Sequence, residues 1–142
     1  MISGTPREFA LDPILVRDNV VVGDLPLTRV LMSTDANYPW LTLVPRRAAV
    51  TELADLPATE RVTLMEEIVQ VSVALKAITG CDKINVATLG NVVAQIHVHV
   101  VARFHKDGNW PKPPWGLPRQ EYAPAARDAL LAAVRQRLNI GP

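Results

Sequence analysis

Three polar side chains alternate with apolar ones in the segment QIHVHVV, residues 95–101. This composition is typical of a β-strand, and side chains point to alternate faces along a strand. Gln95, His97 and His99 would then form a row on one face, with neighbours ~6.6 Å apart at the backbone. Two imidazoles and an amide at that spacing can converge on one group of about the size of a phosphate. The row is therefore the first candidate for a catalytic or binding site.

Gly90 and Asn91 lie just before this row. The glycine would let the backbone approach a ligand closely and offer amide donors to an anion. Two alternatives stay open on the pattern alone, because such histidines can be packed core residues and His-x-His can chelate zinc. Zinc takes three or four protein ligands or waters, and the remaining candidates have no recognisable spacing. Those candidates are His105, Cys81 and scattered carboxylates.

The composition narrows the class of protein. The chain has 142 residues, of which 49% are hydrophobic and 20% charged, as expected for one folded domain. A net charge of +1 predicts neither a nucleic-acid polymer nor a membrane surface as partner. No apolar run approaches the ~20 residues of a bilayer span. The start, MISGTPREFALDP, lacks signal-peptide features, and the single cysteine excludes an internal disulfide, so a reducing cytoplasm is expected.

The elements that must position the row follow from apolar periodicity and from turn residues. Short β-branched runs predict strands over 20–22, 28–32, 40–44, 83–88 and 97–103. Helical spacing predicts helices over 57–79 and 124–138. Their order predicts an α+β fold, an antiparallel meander of about five strands with one long helix packed on it and a C-terminal helix. Residues 1–142 then form a single domain, with a body over 1–105, a loop over 106–122 rich in Pro and Trp, and the C-terminal helix over 123–142.

The long helix carries one apolar stripe that should face the sheet, formed by Leu64, Ile68, Val71, Leu75 and Ile78. Charged residues off that stripe should face water, namely Glu60, Glu66, Glu67 and Lys76. A second apolar set remains, comprising Val62, Met65, Val69 and Val73. Because a sheet in so small a domain also has edges to protect, this second set predicts a homodimer.

The QIHVHVV segment resembles the motif of the histidine triad (HIT) family, in which histidines alternate with apolar residues as His-x-His-x-His-x-x. LTLVPRR is similar to the family's strand before the long helix, KINVATLGN to its strand and loop before the triad, and NWP to a later Trp-Pro element. The resemblance extends over most of the body. It also implies two-fold pairing through the long helix and a sheet strand.

This resemblance implies an enzyme that acts at a nucleotide α-phosphate without a metal or cofactor. Family substrates are nucleoside phosphoramidates, dinucleoside polyphosphates and related adenylylated compounds, and a purine nucleotide is the expected partner. The middle histidine of the motif is the nucleophile and matches His97, which would form a covalent nucleotidyl-histidine. His99 matches the last histidine and would donate to the phosphate or the leaving group. Asn91 falls where the family places a polar phosphate contact, one residue out of register with some branches.

The chain departs from the family pattern at two positions. Gln95 replaces the first triad histidine, and an amide can donate a hydrogen bond but cannot titrate near neutrality. Trp40 stands where well-known branches have another histidine. The chain therefore resembles a divergent, bacterial-type branch that keeps the nucleophile. Two alternatives follow: a catalytically weak nucleotide-binding or regulatory protein on the same fold, and a small metalloprotein that uses His97 and His99.

The nucleoside-binding candidates are spread over two loops and a strand. Ser33, Asp35 and Asn37 lie where the family has a ribose-binding acid or amide, although side-chain caps of a turn are the simpler explanation. Trp40 and Trp110 are further candidates. Trp110 and Trp115 are either anchors beneath the Pro/Trp loop or a lid over the nucleotide, since aromatic rings serve both uses.

Overall fold

A computed structural model describes residues 8–142, so the first seven residues of the segment without signal-peptide features lie outside the described chain. The elements, in order, are α1 (Pro13–Asp18), β1 (Asn19–Asp24), β2 (Thr28–Ser33), β3 (Trp40–Pro45), a 3-10 turn (Leu53–Asp55), α2 (Ala58–Thr79), β4 (Lys83–Ala87), β5 (Val98–Arg103) and α3 (Pro124–Leu138). The predicted α+β class, with five strands and a long helix, is confirmed. None of the helices within residues 8–142 has the length and apolar character to cross a membrane.

The five strands form one sheet in the order β1-β2-β3-β5-β4, and every neighbouring pair is antiparallel. The first three strands are a meander joined by short loops. The chain then crosses the sheet in α2, and β5 returns to pair with β3, which leaves β4 and β1 as the two edges. The strand that carries His99 is therefore central, where pairing on both sides holds it rigidly.

Different elements pack on the two faces of the sheet. Leu41, Leu43, Val98 and Val100 point to the face on which α2 and α3 pack, and together they belong to the main apolar core. The alternate residues point to the opposite face, where a smaller cluster of Leu15, Leu31, Val44 and Val93 is buried. This opposite face is also the one that carries the histidines.

Helix α2 ends as its sequence predicts. Gly80 has a left-handed φ of 64°, a conformation that glycine adopts without strain, and its N–H donates to the Lys76 carbonyl at 2.9 Å. The predicted inner stripe is buried except for the partly buried Ile78. The second apolar set is exposed, with Val62 at 64%, Met65 at 57%, Val69 at 49% and Val73 at 62%.

Glu67 does not face water as its charge suggested. Its side chain is only 4% exposed, and its two carboxylate oxygens accept from the backbone N–H of Leu27 at 2.7 Å and of Thr28 at 3.0 Å. The position lies three residues after Leu64 and four before Val71, so helical geometry places it on the inner stripe. A buried carboxylate there satisfies two amides of the β1–β2 turn that would otherwise be costly to bury.

The Gly-Asp pair at residues 23–24 is typical of a turn, but β1 continues through Gly23 to Asp24 and the reversal falls on residues 25–27. The register of β1 against β2 shifts at Gly23. A Cβ at this position would lie 2.5 Å from the Gly141 carbonyl oxygen. The glycine is therefore required by the C-terminal tail that crosses β1, not by a turn.

Helix α1 was not predicted. Asp12 caps it by accepting from the Ile14 N–H at 2.8 Å, and Pro13 occupies the first helical turn. The Asp-Pro pair is the signal that could have revealed the helix. Six residues are too few for a clear apolar period, which is why periodicity alone missed it.

Candidate active site

His97 lies just before β5, and its side chain is 5% exposed. Its Nδ1 lies 2.7 Å from the backbone carbonyl oxygen of Gln95. A carbonyl only accepts, so Nδ1 carries the ring proton and Nε2 carries the lone pair. The Thr88 hydroxyl donates to the His97 carbonyl at 2.7 Å, which ties the strand to the loop after β4. The imidazole is thus held in one tautomer with its basic nitrogen unpaired within the described chain.

His99 lies on β5 between Thr42 of β3 and Ala87 of β4. Its ring is edge-on to that of His97, with centroids 4.9 Å apart, so the two imidazoles share a face as predicted. Trp40 Nε1–H donates to His99 Nδ1 at 2.9 Å. Burial, and then the neighbouring His97, lower the pKa of His99 to about 4. His99 is therefore neutral at physiological pH.

The structure does not bring the Gln95 amide into the same row. The strand begins at Val98, whereas the motif predicted it from residue 95, because Ile96 N–H donates to the Val50 carbonyl and leads the chain away from β3. Gln95 Nε2 donates to the Ala10 carbonyl at 2.8 Å, and Gln95 Oε1 accepts from Asp12 N–H at 2.9 Å. The amide therefore anchors the segment that enters α1, while the backbone carbonyl of the same residue orients His97.

A cavity of about 520 Å³ opens in front of the histidines, within the usual range for small-molecule sites. Its apolar wall comes from Ile14 and Leu15 of α1 and from the aromatic rings of Trp40 and Trp115. Polar and charged groups also line the cavity, namely Arg17, Asp18, Asn19, Ser33, Asp35, Thr42, Asn91 and Arg119. The cavity could therefore bind a ligand that has a flat apolar ring and a polar or charged group.

Asn91 and Gly90 lie in the loop after β4, beside His97. Asn91 lines the main cavity and also a second cavity on the other side of His97, which Gly90, Thr51 and Glu52 line as well. Gly90 has no left-handed φ, and an added Cβ would come no nearer than 3.6 Å to the Val93 carbonyl oxygen. The local backbone does not itself require glycine, and Gly90 lines the second cavity but not the main one.

Two of the three polar ribose candidates line the main cavity. Asp35 Oδ1 accepts from Asn37 N–H at 3.0 Å, from Asn37 Nδ2 at 2.8 Å and from Gln120 N–H at 3.1 Å. Its Oδ2 has no hydrogen-bond donor among residues 8–142. Ser33 lies beside it in the cavity wall, whereas Asn37 points to Pro118 O and does not line the cavity. Asn37 therefore supports the turn, as the simpler explanation predicted.

The two tryptophans of the Pro/Trp loop have different positions. Trp115 packs edge-on against both Trp40 and His99, with ring centroids 5.5 Å apart in each case. Trp110 does not line the cavity and packs against His105, with centroids 4.7 Å apart. The structure thus places Trp115 at the site and Trp110 in the role of an anchor.

Arg103 anchors the Pro/Trp loop to the sheet. As strand parity predicts, it lies on the histidine face, where it is 1% exposed. It pairs with Asp107 at 2.8 Å and donates to Asn85 Oδ1 at 2.8 Å, and its guanidinium lies over the Tyr38 and Trp110 rings. The Arg103 guanidinium lowers the pKa of Asp107 to about 2.

Several cavity residues carried no signal in the motif. Ile14, Leu15 and Asp18 were missed with helix α1, and the Asp-Pro cap is the feature that could have revealed them. Thr42 lies within an apolar strand. Its position two residues after Trp40 indicated that the two side chains share a face of the sheet. Within residues 8–142 there is no group of three or more His, Cys, Asp or Glu side chains placed to hold a metal ion.

The fold is an open antiparallel sheet with two ordered imidazoles on the face opposite α2, and comparison with known families agrees with it. The HIT domain model matches residues 15–106, and the chain belongs to the HIT family. A comparison with curated proteins returned no match.

Solved histidine triad proteins from three bacteria are similar over nearly their whole length. The protein from Bradyrhizobium japonicum is 44% identical, with 93% of this chain and 99% of that chain covered and a TM-score of 0.91. That from Sinorhizobium meliloti is 38% identical, with 91% and 96% covered and a TM-score of 0.88. That from Marinobacter aquaeolei is 34% identical, with 94% and 98% covered and a TM-score of 0.90.

Proposed function

We propose that this protein is a nucleotide hydrolase or transferase that acts at an α-phosphate through a covalent nucleotidyl-His97 intermediate. The observation that supports it most is the 2.7 Å contact between His97 Nδ1 and the Gln95 carbonyl, which leaves the Nε2 lone pair beside the cavity. A neutral imidazole oriented in this way is an activated nucleophile that needs no metal. Nucleoside phosphoramidates, dinucleoside polyphosphates and related adenylylated compounds are the candidate substrates.

The reaction has two displacements at phosphorus. His97 Nε2 forms a bond to the α-phosphorus, and the bond to the leaving group breaks with its electron pair. The positive charge that develops on the ring is stabilised because Nδ1–H already donates to the Gln95 carbonyl. Water then attacks the phosphorus, its proton passes to solvent, and the P–N bond breaks to release the nucleoside monophosphate and neutral His97.

The nucleoside fits the main cavity, beside α1. A base would contact the apolar wall formed by Ile14, Leu15 and Trp40, and a ribose hydroxyl could donate to the free Oδ2 of Asp35. Asn91 then lies on the phosphate side, next to His97. This placement assigns recognition of the base to shape and stacking, which suits a purine.

Trapping the intermediate tests the function directly. Purified protein is mixed with a nucleoside phosphoramidate, quenched in base to preserve the phosphoramidate bond, digested and examined by mass spectrometry. A nucleotidyl group on the peptide that contains His97 is the expected result. Product formation with no adduct, or an adduct on another residue, would contradict the proposed route.

Gln95→Ala should weaken substrate binding more than it slows the chemical step. The change removes the two hydrogen bonds that hold the chain before α1, whose residues form the base wall, but it keeps the backbone carbonyl that orients His97. We expect KM to rise by about ten-fold or more, the size of one or two lost hydrogen bonds, with kcat changed less. Steady-state kinetics beside the exposed control Gln120→Ala measures this. A large loss of kcat at unchanged KM would show that the amide acts on the phosphate itself.

A catalytically weak nucleotide-binding protein is the second candidate. The observation that favours it is the neutral, largely enclosed His99, together with a Gln95 amide that is already committed to the backbone of another segment. Tight binding of a nucleoside monophosphate without turnover of any candidate substrate would support this second function.

We also propose that two copies of the chain associate through α2 and the edge strand β4. The row Val62, Met65, Val69 and Val73 is exposed along α2, and Val86 on β4 is 48% exposed. Unpaired strand edges and contiguous apolar surface are features that proteins normally cover. A second copy would cover both at once.

Light scattering at micromolar concentration should give about twice the 15.6 kDa mass of one chain. Val69→Glu places a charge in the middle of the apolar row and should shift the protein to the mass of a monomer. Val16→Glu, at a similarly exposed valine on α1, is the matched control and should remain dimeric. A monomeric mass for the unmodified protein would contradict the pairing.

A further inference from the structure

The His99 ring is held by groups from β3, from the Pro/Trp loop and from the residue just before β5. Trp40 Nε1–H donates to its Nδ1 at 2.9 Å, and the Thr42 hydroxyl oxygen lies 3.3 Å from the same nitrogen. Trp115 packs edge-on against the ring from the loop, and His97 does so from the neighbouring position. Both polar contacts converge on one nitrogen, so the two nitrogens of this ring have different environments.

The indole contact decides where the proton is. An indole N–H can donate but cannot accept, so Nδ1 of His99 must present a lone pair and the ring proton must be on Nε2. His97 has the opposite tautomer, because its Nδ1 faces a carbonyl acceptor. The pair therefore presents a nucleophilic lone pair on His97 and a hydrogen-bond donor on the adjacent His99.

The surroundings of His99 disfavour a second proton on its ring. It would have to occupy Nδ1, which would break the bond from Trp40 and leave a cation enclosed by aromatic rings. The titratable group that faces the ring is His97, which disfavours a positive charge. No carboxylate among residues 8–142 pairs with His99, whereas the exposed His105 lies 3.6 Å from Asp82. Geometry and charge both keep the ring neutral.

We propose that Trp40 is a positioning residue that fixes His99 as a neutral Nε2–H donor toward the phosphate. The inference rests on the proposed function for its catalytic meaning, and it replaces nucleoside binding as the main role of Trp40. His99 donates a hydrogen bond to a phosphate oxygen and keeps its proton throughout. The leaving group departs with the bonding electron pair and takes its proton from solvent, before departure for the amine of a phosphoramidate and after departure for a phosphate leaving group, which is stable in water as an anion.

The tautomer can be read directly in the nucleotide-free protein. Long-range ¹H–¹⁵N correlation spectra of the imidazoles should show His99 as a single neutral form, protonated at Nε2, from about pH 7.5 to pH 5. In Trp40→Phe the ring keeps an aromatic neighbour but loses the donor, so a mixture of tautomers should appear and His99 should gain its second proton at higher pH. Trp115→Phe is the matched control: it removes an indole that touches His99 without a hydrogen bond, and the single tautomer should persist.

Kinetics gives an independent readout. Trp40→Phe should lower kcat by about ten-fold with little change in KM, and should add an acidic limb to the pH profile. A proton on Nδ1 of His99 in the unmodified protein would overturn the proposal, even if the variant did not fold. So would a pure Nε2–H tautomer in Trp40→Phe. Because the spectra need no substrate, absence of a nucleotidyl-His97 adduct would refute the proposed function and leave the tautomer assignment standing.

Discussion

His97→Ala is expected to lose at least about a thousand-fold in turnover while it still folds and binds nucleotide. The reason is that the covalent route has no substitute for the missing Nε2, whereas the base wall and Asp35 remain in place. Stopped-time product assays with a nucleoside phosphoramidate, together with nucleotide binding by calorimetry, measure the two properties separately.

His105→Ala is the control for this experiment. His105 is an exposed histidine that pairs with Asp82 and packs on Trp110, and it does not line the main cavity. It should keep turnover within about two-fold of the unmodified protein, as expected for a surface change away from the site. If His97→Ala retained more than a few per cent of the activity, another group would have to be the nucleophile.

Arg103→Met is expected to destabilise the fold by about 3–5 kcal/mol, the usual cost of leaving one partner of a buried ion pair uncompensated. Arg103 and Asp107 have side chains that are 1% and 6% exposed. Methionine fills much of the volume but cannot pair with the carboxylate, so the loop that carries Trp115 should loosen as well. Urea unfolding at neutral pH measures the loss. Arg127→Met, which breaks an exposed pair with Asp128, should change stability by less than about 1 kcal/mol.

The Arg103–Asp107 pair also predicts how the stability of the fold changes as pH falls. The pKa of Asp107 is lowered from 3.8 to about 2 in the folded protein, so the unfolded chain takes up its proton first as pH falls. The contribution of this carboxylate to stability is therefore complete above about pH 4 and is lost as pH falls through about 2. Arg103→Met should remove this part of the pH dependence. An equal slope between pH 4 and pH 2 in both proteins would show that Asp107 is not the group responsible.

Strand parity explains why so much of the site could be predicted. His97 and His99 share a face, and Arg103 follows on it, because alternation is a property of the backbone and needs no knowledge of the neighbours. Helix α2 was predicted for a similar reason, since its buried stripe repeats many times. The 106–122 loop was correctly expected to lack helix and strand because of its prolines, and its status as part of one domain over residues 1–142 stays a prediction.

The failures concern contacts between distant parts of the chain. Gln95 reaches a segment more than eighty residues away, and Glu67 reaches a turn forty residues away. Nothing in the local pattern of either residue states that a particular backbone amide will lie beside it. The choice between Trp110 and Trp115 was of the same kind, because the composition of the loop does not say which ring turns toward His99.

The distribution of tryptophan also makes the chain its own optical reporter. All three indoles lie on the site side, with Trp40 and Trp115 in mutual contact at the cavity and Trp110 against His105. Indole emission depends on solvent exposure. Occupancy of the cavity is therefore read out by Trp40 and Trp115, whereas Trp110, which does not line the cavity, reports on the surroundings of His105. Replacing one indole at a time separates these two signals without any attached dye.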